Sequence, residues 1–354
     1  MSDYYMIQTQ NKVEEMCSGV MQFFKKFCKG ISKTSEFLVK YPQFLLSQKD
    51  NLEFYDFRDK EPYQMGYEEG LLYQQYFQMT KLLHKQFDNE KHTETLLRKY
   101  YSNLYKEIGV NKLLICNFIQ EQICQPIFVT FNLGDILYVI IRGTKNMKDL
   151  ISCICYEEIM VSQNIYHEGF YQSANYIFQK IQQIAKNQKI VLVGYSYGGA
   201  VAAVLAQLLS YQVNQINCVT FGAPPNSYQK LQFTPYITNI INYNDPICRL
   251  SQQSIQLYFS RVMNTDYRNI STSELLYKSQ HSIQIQHSGT IIIFDEQKRF
   301  FKVSSNSFFE IPLHLLYSNL HFHHTYDQSF IQNDQHGLSH FQQSCAQQIQ
   351  NHQK

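Results

Sequence analysis

The spacing of apolar residues predicts helices over roughly the first hundred residues of the chain. Apolar side chains recur at helical intervals in segments 13–27, 68–87 and 94–108. Residues 49–63 are instead rich in Asp, Lys and Glu, and this composition predicts a loop. The pattern therefore predicts an N-terminal helical region, residues 1–110, packed on the main domain.

From residue 112 onward the pattern changes to short apolar runs that are typical of buried strands. These runs are 113–119, 126–131, 136–141, 190–193, 217–221, 237–243, 290–294 and 299–303. Gly134-Asp135 is a hairpin signal, so the runs on either side of it are predicted to pair antiparallel. Helical patterns at 165–185 and 198–209 alternate with the later runs. This alternation predicts an α/β fold with a central, mostly parallel sheet flanked by helices.

Composition is that of a globular protein and excludes several classes of function. The chain has 354 residues, 44% of them apolar and 17% charged, which is enough for a large α/β domain. A formal net charge of +2 without a basic stripe argues against binding of nucleic acid. The nine cysteines are scattered without metal-ligand spacing, so they are interpreted as reduced thiols.

The sequence shows no apolar run long enough to span a bilayer and no signal-peptide pattern at its start. The stretch 190–209 comes closest, but Gly-Tyr-Ser-Tyr-Gly-Gly interrupts it. We therefore expect a cytoplasmic protein whose contact with a lipid surface is at most peripheral. The tail, residues 334–354, is polar and carries no predicted function.

The strongest chemical signal is the segment KIVLVGYSYGGA, residues 189–200. It places a G-x-S-x-G motif between a predicted buried strand and a helix rich in small residues, which is the context that this motif requires. Gly194 and Gly198 flank Ser196 because side chains there would collide across a tight turn. The start of the helix points at the serine, so backbone N–H groups can stabilise an oxyanion. Ser196 is thus the predicted nucleophile.

A serine nucleophile needs a histidine base and an acid that orients it, and in this fold they follow in the order Ser, Asp or Glu, His. Asp245 fits the acid because it lies in a predicted turn, Asn244-Asp245-Pro246, after an apolar strand. The candidate bases are His314, His321, His323 and His324. Composition alone does not choose among these histidines.

Five segments in order resemble the lipase class 3 family, the fungal-lipase-like branch of the α/β-hydrolases. They are YVIIRGTKNMKDL (138–150), HEGFYQSA (167–174), GYSYGGA (194–200), TFGAPP (220–225) and NYNDPICRL (242–250). The resemblance covers roughly residues 110–330 and implies an α/β-hydrolase domain over residues 111–333. It also implies that the acid is Asp245.

The resemblance implies two oxyanion donors. Thr144 follows Arg-Gly, where the family has its first oxyanion residue, and its N–H would act together with the N–H of Tyr197. Arg142, His167 and His287 are interpreted as structural residues instead.

The resemblance also orders the candidate bases. The family's histidine typically precedes Ser or Thr, an apolar residue, an acidic residue and an anchor. His324 fits this pattern best, because Thr325, Tyr326 and Asp327 follow it. His323 comes second and His321 third.

Residues 145–158 correspond to the lid of the family. A short amphipathic helix is predicted there, with Met147, Leu150, Ile151 and Ile154 on one side. Two interpretations stay open. The helix is either a lid that opens at a lipid surface or a connecting helix packed permanently on the core.

Together these patterns predict a serine hydrolase that cleaves carboxylic esters of lipids, either acylglycerols or phospholipids, without a metal or organic cofactor. An esterase for small soluble esters and a non-catalytic protein that binds lipid or a partner on the same fold stay open as alternatives. The chain departs from fungal members in having no Trp and in carrying Tyr195 and Tyr197 where those members commonly have His and Leu. The triad carries over, whereas a preference for long-chain triglycerides does not.

Overall fold

The computed structural model describes residues 61–85, 93–154, 158–161, 164–227, 234–242, 245, 247–251, 285–295, 299–303 and 326. The helices in this part of the chain are α1 (Tyr67–His84), α2 (Glu94–Lys106), α3 (Met147–Ile154), α4 (Glu168–Ala185) and α5 (Tyr197–Leu209). The strands are β1 (Glu61–Tyr63), β2 (Leu113–Asn117), β3 (Phe128–Leu133), β4 (Ile136–Ile141), β5 (Glu158–Val161), β6 (Asn164–His167), β7 (Lys189–Tyr195), β8 (Gln215–Phe221), β9 (Ile237–Asn242), β10 (Thr290–Phe294) and β11 (Phe300–Val303).

Nine of the described strands form one sheet in the order β1-β11-β10-β9-β8-β7-β4-β3-β2. The five central strands, β4 and β7 to β10, are parallel, and the outer strands run antiparallel to their neighbours. The predicted hairpin is confirmed, because Leu133 pairs with Ile136 across Gly134-Asp135. This arrangement confirms the predicted α/β fold with a mostly parallel sheet flanked by helices.

Two sequence predictions are wrong. Residues 61–63, assigned to a loop, form β1 at the edge of the sheet, where Tyr63 pairs with Phe300. An edge position tolerates Pro62, which has no N–H to donate. The predicted helical region 1–110 therefore also contributes a strand to the main sheet.

The second error concerns residues 165–167, which were assigned to a helix but lie in β6 and pair with β5. The helix begins only at Glu168, because the side chain of His167 caps it by accepting the N–H of Phe170. Helical spacing of apolar residues cannot mark this boundary, since Ile165 and Tyr166 are buried in the strand as well.

The two faces of the sheet are covered by different helices. Along β7, Val191 and Val193 belong to the core that contains α1 and α2, whereas Ile190 and Leu192 belong to the core that contains α4 and α5. We call these the tyrosine face and the alanine face. The tyrosine face buries Tyr73, Tyr76, Tyr101, Tyr105, Tyr138, Tyr195 and Tyr326. The alanine face buries Ala174, Ala185, Ala200, Ala202, Ala203 and Ala206.

Two features are absent from the residues that the structure describes. In them, no helix combines the length and apolar character needed to cross a membrane. The same stretches hold no group of three or more His, Cys, Asp or Glu side chains placed to bind a metal ion. The helix predicted at 13–27 and the tail at 334–354 lie outside the described residues.

Candidate active site

Ser196 lies on a sharp turn between β7 and α5. Its backbone has φ 54° and ψ −124°, a conformation that L-residues other than glycine rarely adopt. Its N–H donates to the carbonyl of Phe221 (2.8 Å), and its own carbonyl accepts the N–H of Gly199 (2.9 Å). These bonds hold a strained turn at the start of a helix, as the predicted role of Ser196 requires.

The glycines around Ser196 are required by close backbone contacts. A Cβ atom at Gly194 would collide with the carbonyl of Gly198 across the turn, as predicted. One at Gly198 would collide with the carbonyl of Ile141 at the end of β4. Helix α5 can therefore start directly against β4, and this brings the segment after β4 beside the serine.

Thr144 lies in that segment, at the same edge of the sheet as Ser196. Strands β4 and β7 are parallel neighbours, with Ile141 opposite Gly194, so the residues after both strands leave the sheet together. Gly143 packs so closely on β7 that a Cβ atom there would lie 2.8 Å from the carbonyl oxygen of Tyr195. Thr144 is only partly buried, and its Oγ1 lies 3.8 Å from Cys153 Sγ. Its position suits an oxyanion donor.

Tyr197 is the first residue of α5 and therefore presents its N–H at the helix start. Its ring is buried, and its hydroxyl lies 2.7 Å from Ser173 Oγ of α4. Burial raises the pKa of the Tyr197 hydroxyl well above its usual value. The side chain thus anchors the turn in the core. The group of this residue that could take part in catalysis is its backbone N–H.

Asp245 follows β9 and is completely buried. Its Oδ1 accepts the N–H of Ile247 (2.9 Å), and its Oδ2 accepts the hydroxyl of Tyr326 (2.6 Å). Because β7, β8 and β9 are parallel neighbours, Asp245 and Ser196 lie at the same edge of the sheet, two strands apart. This is the position that the fold gives to a triad acid. Asn244 and Pro246, assigned to the same turn, lie outside the described residues.

An aromatic cluster joins the nucleophile turn to the acid. The ring of Tyr326 lies 5.9 Å from that of Tyr195, the residue before the serine. Phe77 of α1 packs on both rings, at 5.8 Å from Tyr326 and 5.9 Å from Tyr195. Sequence reasoning missed this role of Phe77, because helical spacing marks a buried face without naming its partner.

The four candidate bases, His314, His321, His323 and His324, lie outside the described residues. Tyr326, the described residue that follows them in the chain, donates its hydroxyl to Asp245 Oδ2 (2.6 Å).

Three residues interpreted as structural have structural contacts. Arg142 Nη2 pairs with Asp149 Oδ2 at 3.2 Å. The rings of His167 and His287 each bond a backbone carbonyl through Nε2, that of Cys153 at 3.1 Å and that of Cys248 at 2.7 Å. Burial lowers the pKa of His167 to about 3 and that of His287 to about 4, so both rings are neutral at pH 7.

The predicted lid segment contains α3, and polar contacts tie this helix to the loop between β2 and β3. Lys148 Nζ donates to the carbonyls of Gln120 (2.9 Å) and Glu121 (2.6 Å). Ser152 Oγ accepts the N–H of Cys124 (3.0 Å). Met147 at the start of the helix is 63% exposed. These contacts place α3 against the loop, and both interpretations of the segment stay open.

A mostly parallel sheet with a strained serine between a strand and a helix, and a buried acid after a later strand, defines an α/β-hydrolase. The family profile of Lipase (class 3) matches residues 138–255, which run from β4 past Asp245. The match covers about a third of the chain, so the similarity to the lipase class 3 family is shown for this segment.

Individual relatives are distant. Diacylglycerol lipase-beta of Mus musculus is 25% identical over 143 residues, which cover 35% of this chain and 21% of that protein. The chain thus spans about a fifth of this curated relative. The nonglycosylated LIP2 lipase of Yarrowia lipolytica is similar in structure, with 13% identity, a TM-score of 0.49 and coverage of 75% of this chain and 95% of that one. The triacylglyceride lipase of Rhizomucor miehei has 13% identity and a TM-score of 0.43, covering 70% of this chain and 87% of its own.

Proposed function

We propose that this protein hydrolyses carboxylic esters of lipids, with acylglycerols or phospholipids as substrates. The observation that carries the proposal is the strained backbone of Ser196 at the start of α5, on the same sheet edge as the buried Asp245. A non-glycine residue in this conformation costs about 1–3 kcal/mol and persists where the chemistry requires it. The match of residues 138–255 to the lipase class 3 profile and the similarity to a diacylglycerol lipase support a lipid ester as the substrate.

In the proposed reaction, His324 takes the hydroxyl proton of Ser196 while Oγ attacks the ester carbonyl. Asp245 orients the imidazole and balances the positive charge that forms on it. Its two oxygens accept bonds from Ile247 and Tyr326. A carboxylate accepts from several donors at once, so these bonds are compatible with one from a histidine.

The N–H groups of Thr144 and Tyr197 would stabilise the negative oxygen of the tetrahedral intermediate. Donors of this type each lower the barrier by about 3 kcal/mol. Collapse of the intermediate expels the alcohol, which takes the proton from His324, and leaves the acyl group on Ser196. Water, deprotonated by the same histidine, then releases the carboxylic acid and restores the serine.

Peripheral contact with a lipid surface is part of this proposal. Two exposed methionines lie on the segments that follow Thr144: Met147 in α3 is 63% exposed and Met160 in β5 is 70% exposed. Flexible apolar side chains of this kind suit contact with acyl chains. Both methionines are exposed without any movement of α3.

Replacement of the nucleophile tests the mechanism. We expect Ser196→Ala to lower hydrolysis of p-nitrophenyl acyl esters by about 10⁴-fold or more, since no other group attacks the carbonyl. Its circular dichroism should match that of the wild type. Ser210→Ala, at the far end of α5, is the matched control and should keep full activity. Hydrolysis by Ser196→Ala near the wild-type rate would overturn the mechanism.

Separate variants identify the base. We expect His324→Ala to lose activity to a degree similar to Ser196→Ala, while His321→Ala and His323→Ala stay active. Loss confined to His323→Ala would assign the proton transfer to that histidine instead. Retained activity in all three variants would exclude this segment as the source of the base.

A substrate panel distinguishes a lipase from an esterase for soluble esters. Acyl chains from butyrate to palmitate, diacylglycerol and phosphatidylcholine should be presented both as monomers and in mixed micelles. A lipid ester hydrolase is expected to favour the long chains and to gain rate above their solubility limit. Activity on butyrate alone would support the soluble-ester alternative.

A further inference from the structure

The carboxylate of Asp149 connects the two sides of Thr144. Asp149 lies in the first turn of α3 and is 1% exposed. Its Oδ2 accepts the backbone N–H of Lys145 (2.9 Å) and the Nη2 of Arg142 (3.2 Å). One oxygen atom therefore holds the residue after Thr144 and the residue two positions before it.

The remaining contacts leave this segment little freedom. The N–H of Arg142 donates to the carbonyl of Ile127 (3.0 Å), which continues the hydrogen bonding of β4 with its neighbour. Gly143 lies against β7, without room for a side chain. The Nζ of Lys145 donates to the carbonyl of His84 at the end of α1 (2.8 Å). Each side of Thr144 is thus fixed to a different part of the fold.

The bond from Lys145 N–H is the one that acts most directly on Thr144. That N–H belongs to the peptide group joining Thr144 to Lys145, so the bond fixes the orientation of this peptide. The orientation of the preceding peptide, which carries the Thr144 N–H, then depends on one pair of dihedral angles. An oxyanion donor has to lie 2.7–3.1 Å from the oxygen that it stabilises.

We propose that Asp149 is a positioning residue that holds the N–H of Thr144 toward the reacting carbonyl of the substrate. The inference rests on the proposed function, and it adds to it a residue that does not touch the substrate. Asn146 completes the arrangement, because its Oδ1 accepts the N–H of Asp149 at 2.9 Å and so fixes the start of α3. Helix α3 therefore serves as a support for the oxyanion segment.

A residue that only stabilised the fold would change the amount of folded protein and leave the turnover of each folded molecule unaltered. A positioning residue changes the turnover number itself. Misplacement of a reacting group by about 1 Å costs about 100-fold in rate. The two roles are therefore separated by counting the folded active sites and dividing the rate by that number.

The experiment compares the wild type with Asp149→Ala and Asp149→Asn. Complete labelling of one sample with a fluorophosphonate counts the reactive serines. In an unlabelled sample, kcat and KM for an acyl ester are then measured, and kcat is expressed per reactive serine. We expect Asp149→Ala to lower kcat by about 10- to 100-fold with KM changed less than about threefold. The rate of phosphonylation should fall in parallel, because the phosphonate oxygen occupies the same hole.

Asp149→Asn is expected to lie between Asp149→Ala and the wild type. Its amide oxygen still accepts the N–H of Lys145, but the charge opposite Arg142 is lost. This variant keeps the size of the side chain, so it carries the test if Asp149→Ala does not fold. The matched control is Asp135→Ala, which removes an exposed ion pair with Lys189 (2.8 Å) and should keep the wild-type kcat.

The outcomes separate this inference from the proposed function. A wild type that neither hydrolyses esters nor reacts with the fluorophosphonate overturns the proposed function, and this inference with it. An active wild type whose Asp149 variants keep the full kcat per reactive serine overturns this inference alone.

Discussion

The two faces of the central sheet are packed in different ways. On the alanine face, α5 approaches the strands through residues with little or no side chain, such as Gly199 and Ala203. On the tyrosine face, bulky rings fill the space beside the sheet, and two of their hydroxyls bond to the main chain. Tyr105 donates to the carbonyl of Met79 (2.8 Å), and Tyr101 donates to that of Lys85 (3.1 Å). One face thus relies on close approach and the other on hydrogen-bonded aromatic packing.

Each face supports a different half of the candidate site. The close approach of α5 produces the turn that carries Ser196. The tyrosine face brings Phe77 and Tyr326 together beneath Tyr195, next to Asp245. The family match begins only at residue 138, so α1 and α2 lie outside it, yet they pack against this half. The comparison teaches that neighbouring residues specify the conformation of the serine turn. The surroundings of the candidate acid depend instead on a helix that is distant in the chain.

The largest expected effect comes from Phe77, the link between α1 and the site. Phe77→Ala should lower the free energy of unfolding by about 3–5 kcal/mol. It should also lower kcat, because Tyr326 and Tyr195 lose a common contact. Ile181→Ala on the alanine face is the control, with a cost of about 2–5 kcal/mol and an unchanged kcat per folded molecule. Chemical denaturation measures the free energy of unfolding, and active-site labelling gives kcat per folded molecule. Equal kcat values for the two variants would show that Phe77 does not affect the candidate site.

Next in size is an acid-dependent loss of stability that two buried histidines cause. His167 and His287 have pKa values of about 3 and 4 in the folded protein, against a usual value near 6.5. As the pH falls below about 6.5, the unfolded chain binds protons that the folded protein does not, so stability decreases. Each histidine contributes about 1.4 kcal/mol per pH unit in this window.

His167→Asn isolates one of these contributions, because asparagine can still cap α4. Urea denaturation between pH 6 and 4 should show a slope smaller than that of the wild type by about 1.4 kcal/mol per pH unit. An unchanged slope would mean that His167 is protonated in the folded protein.

A pair of glycines compares the two faces directly. Gly199→Ala places a Cβ atom 2.8 Å from that of Ala223 and should destabilise the protein by about 1–3 kcal/mol. Gly70→Ala in α1 meets only the side chain of Met65 at 3.6 Å and should stabilise the helix by about 0.5–1 kcal/mol. Thermal unfolding should therefore shift in opposite directions. Shifts of the same sign would contradict the difference in packing.

The last comparison removes one buried hydroxyl from the tyrosine face. Tyr105→Phe removes the bond that the hydroxyl donates to the carbonyl of Met79 and should cost about 1 kcal/mol. Tyr211→Phe, at a position that is 88% exposed, serves as the control and should have no measurable effect. Equal stability of the two variants would show that the buried hydroxyl contributes nothing.

The nucleophile turn and the buried strands could be predicted from sequence because their signals are local. Gly194, Ser196 and Gly198 are close neighbours in the chain, and a run of apolar residues is enough to mark a buried strand. Strand β1 could not be predicted, since three residues show no periodicity and their partner, β11, lies more than 200 residues away. The position of Asp149 in the lid segment likewise does not indicate its bond to Lys145. That bond depends on the path of the backbone between β4 and α3. The choice between His323 and His324 stays a prediction.

The backbone of Ser196 also has a consequence for how such a protein evolves. Glycine adopts this conformation without the strain that serine has there. Replacement by glycine would therefore relieve about 1–3 kcal/mol of strain while removing the proposed nucleophile. Under the proposed mechanism, a lineage that no longer required hydrolysis would be free to accept glycine here. A serine at this position would then mark a chain that still depends on the chemistry of its hydroxyl.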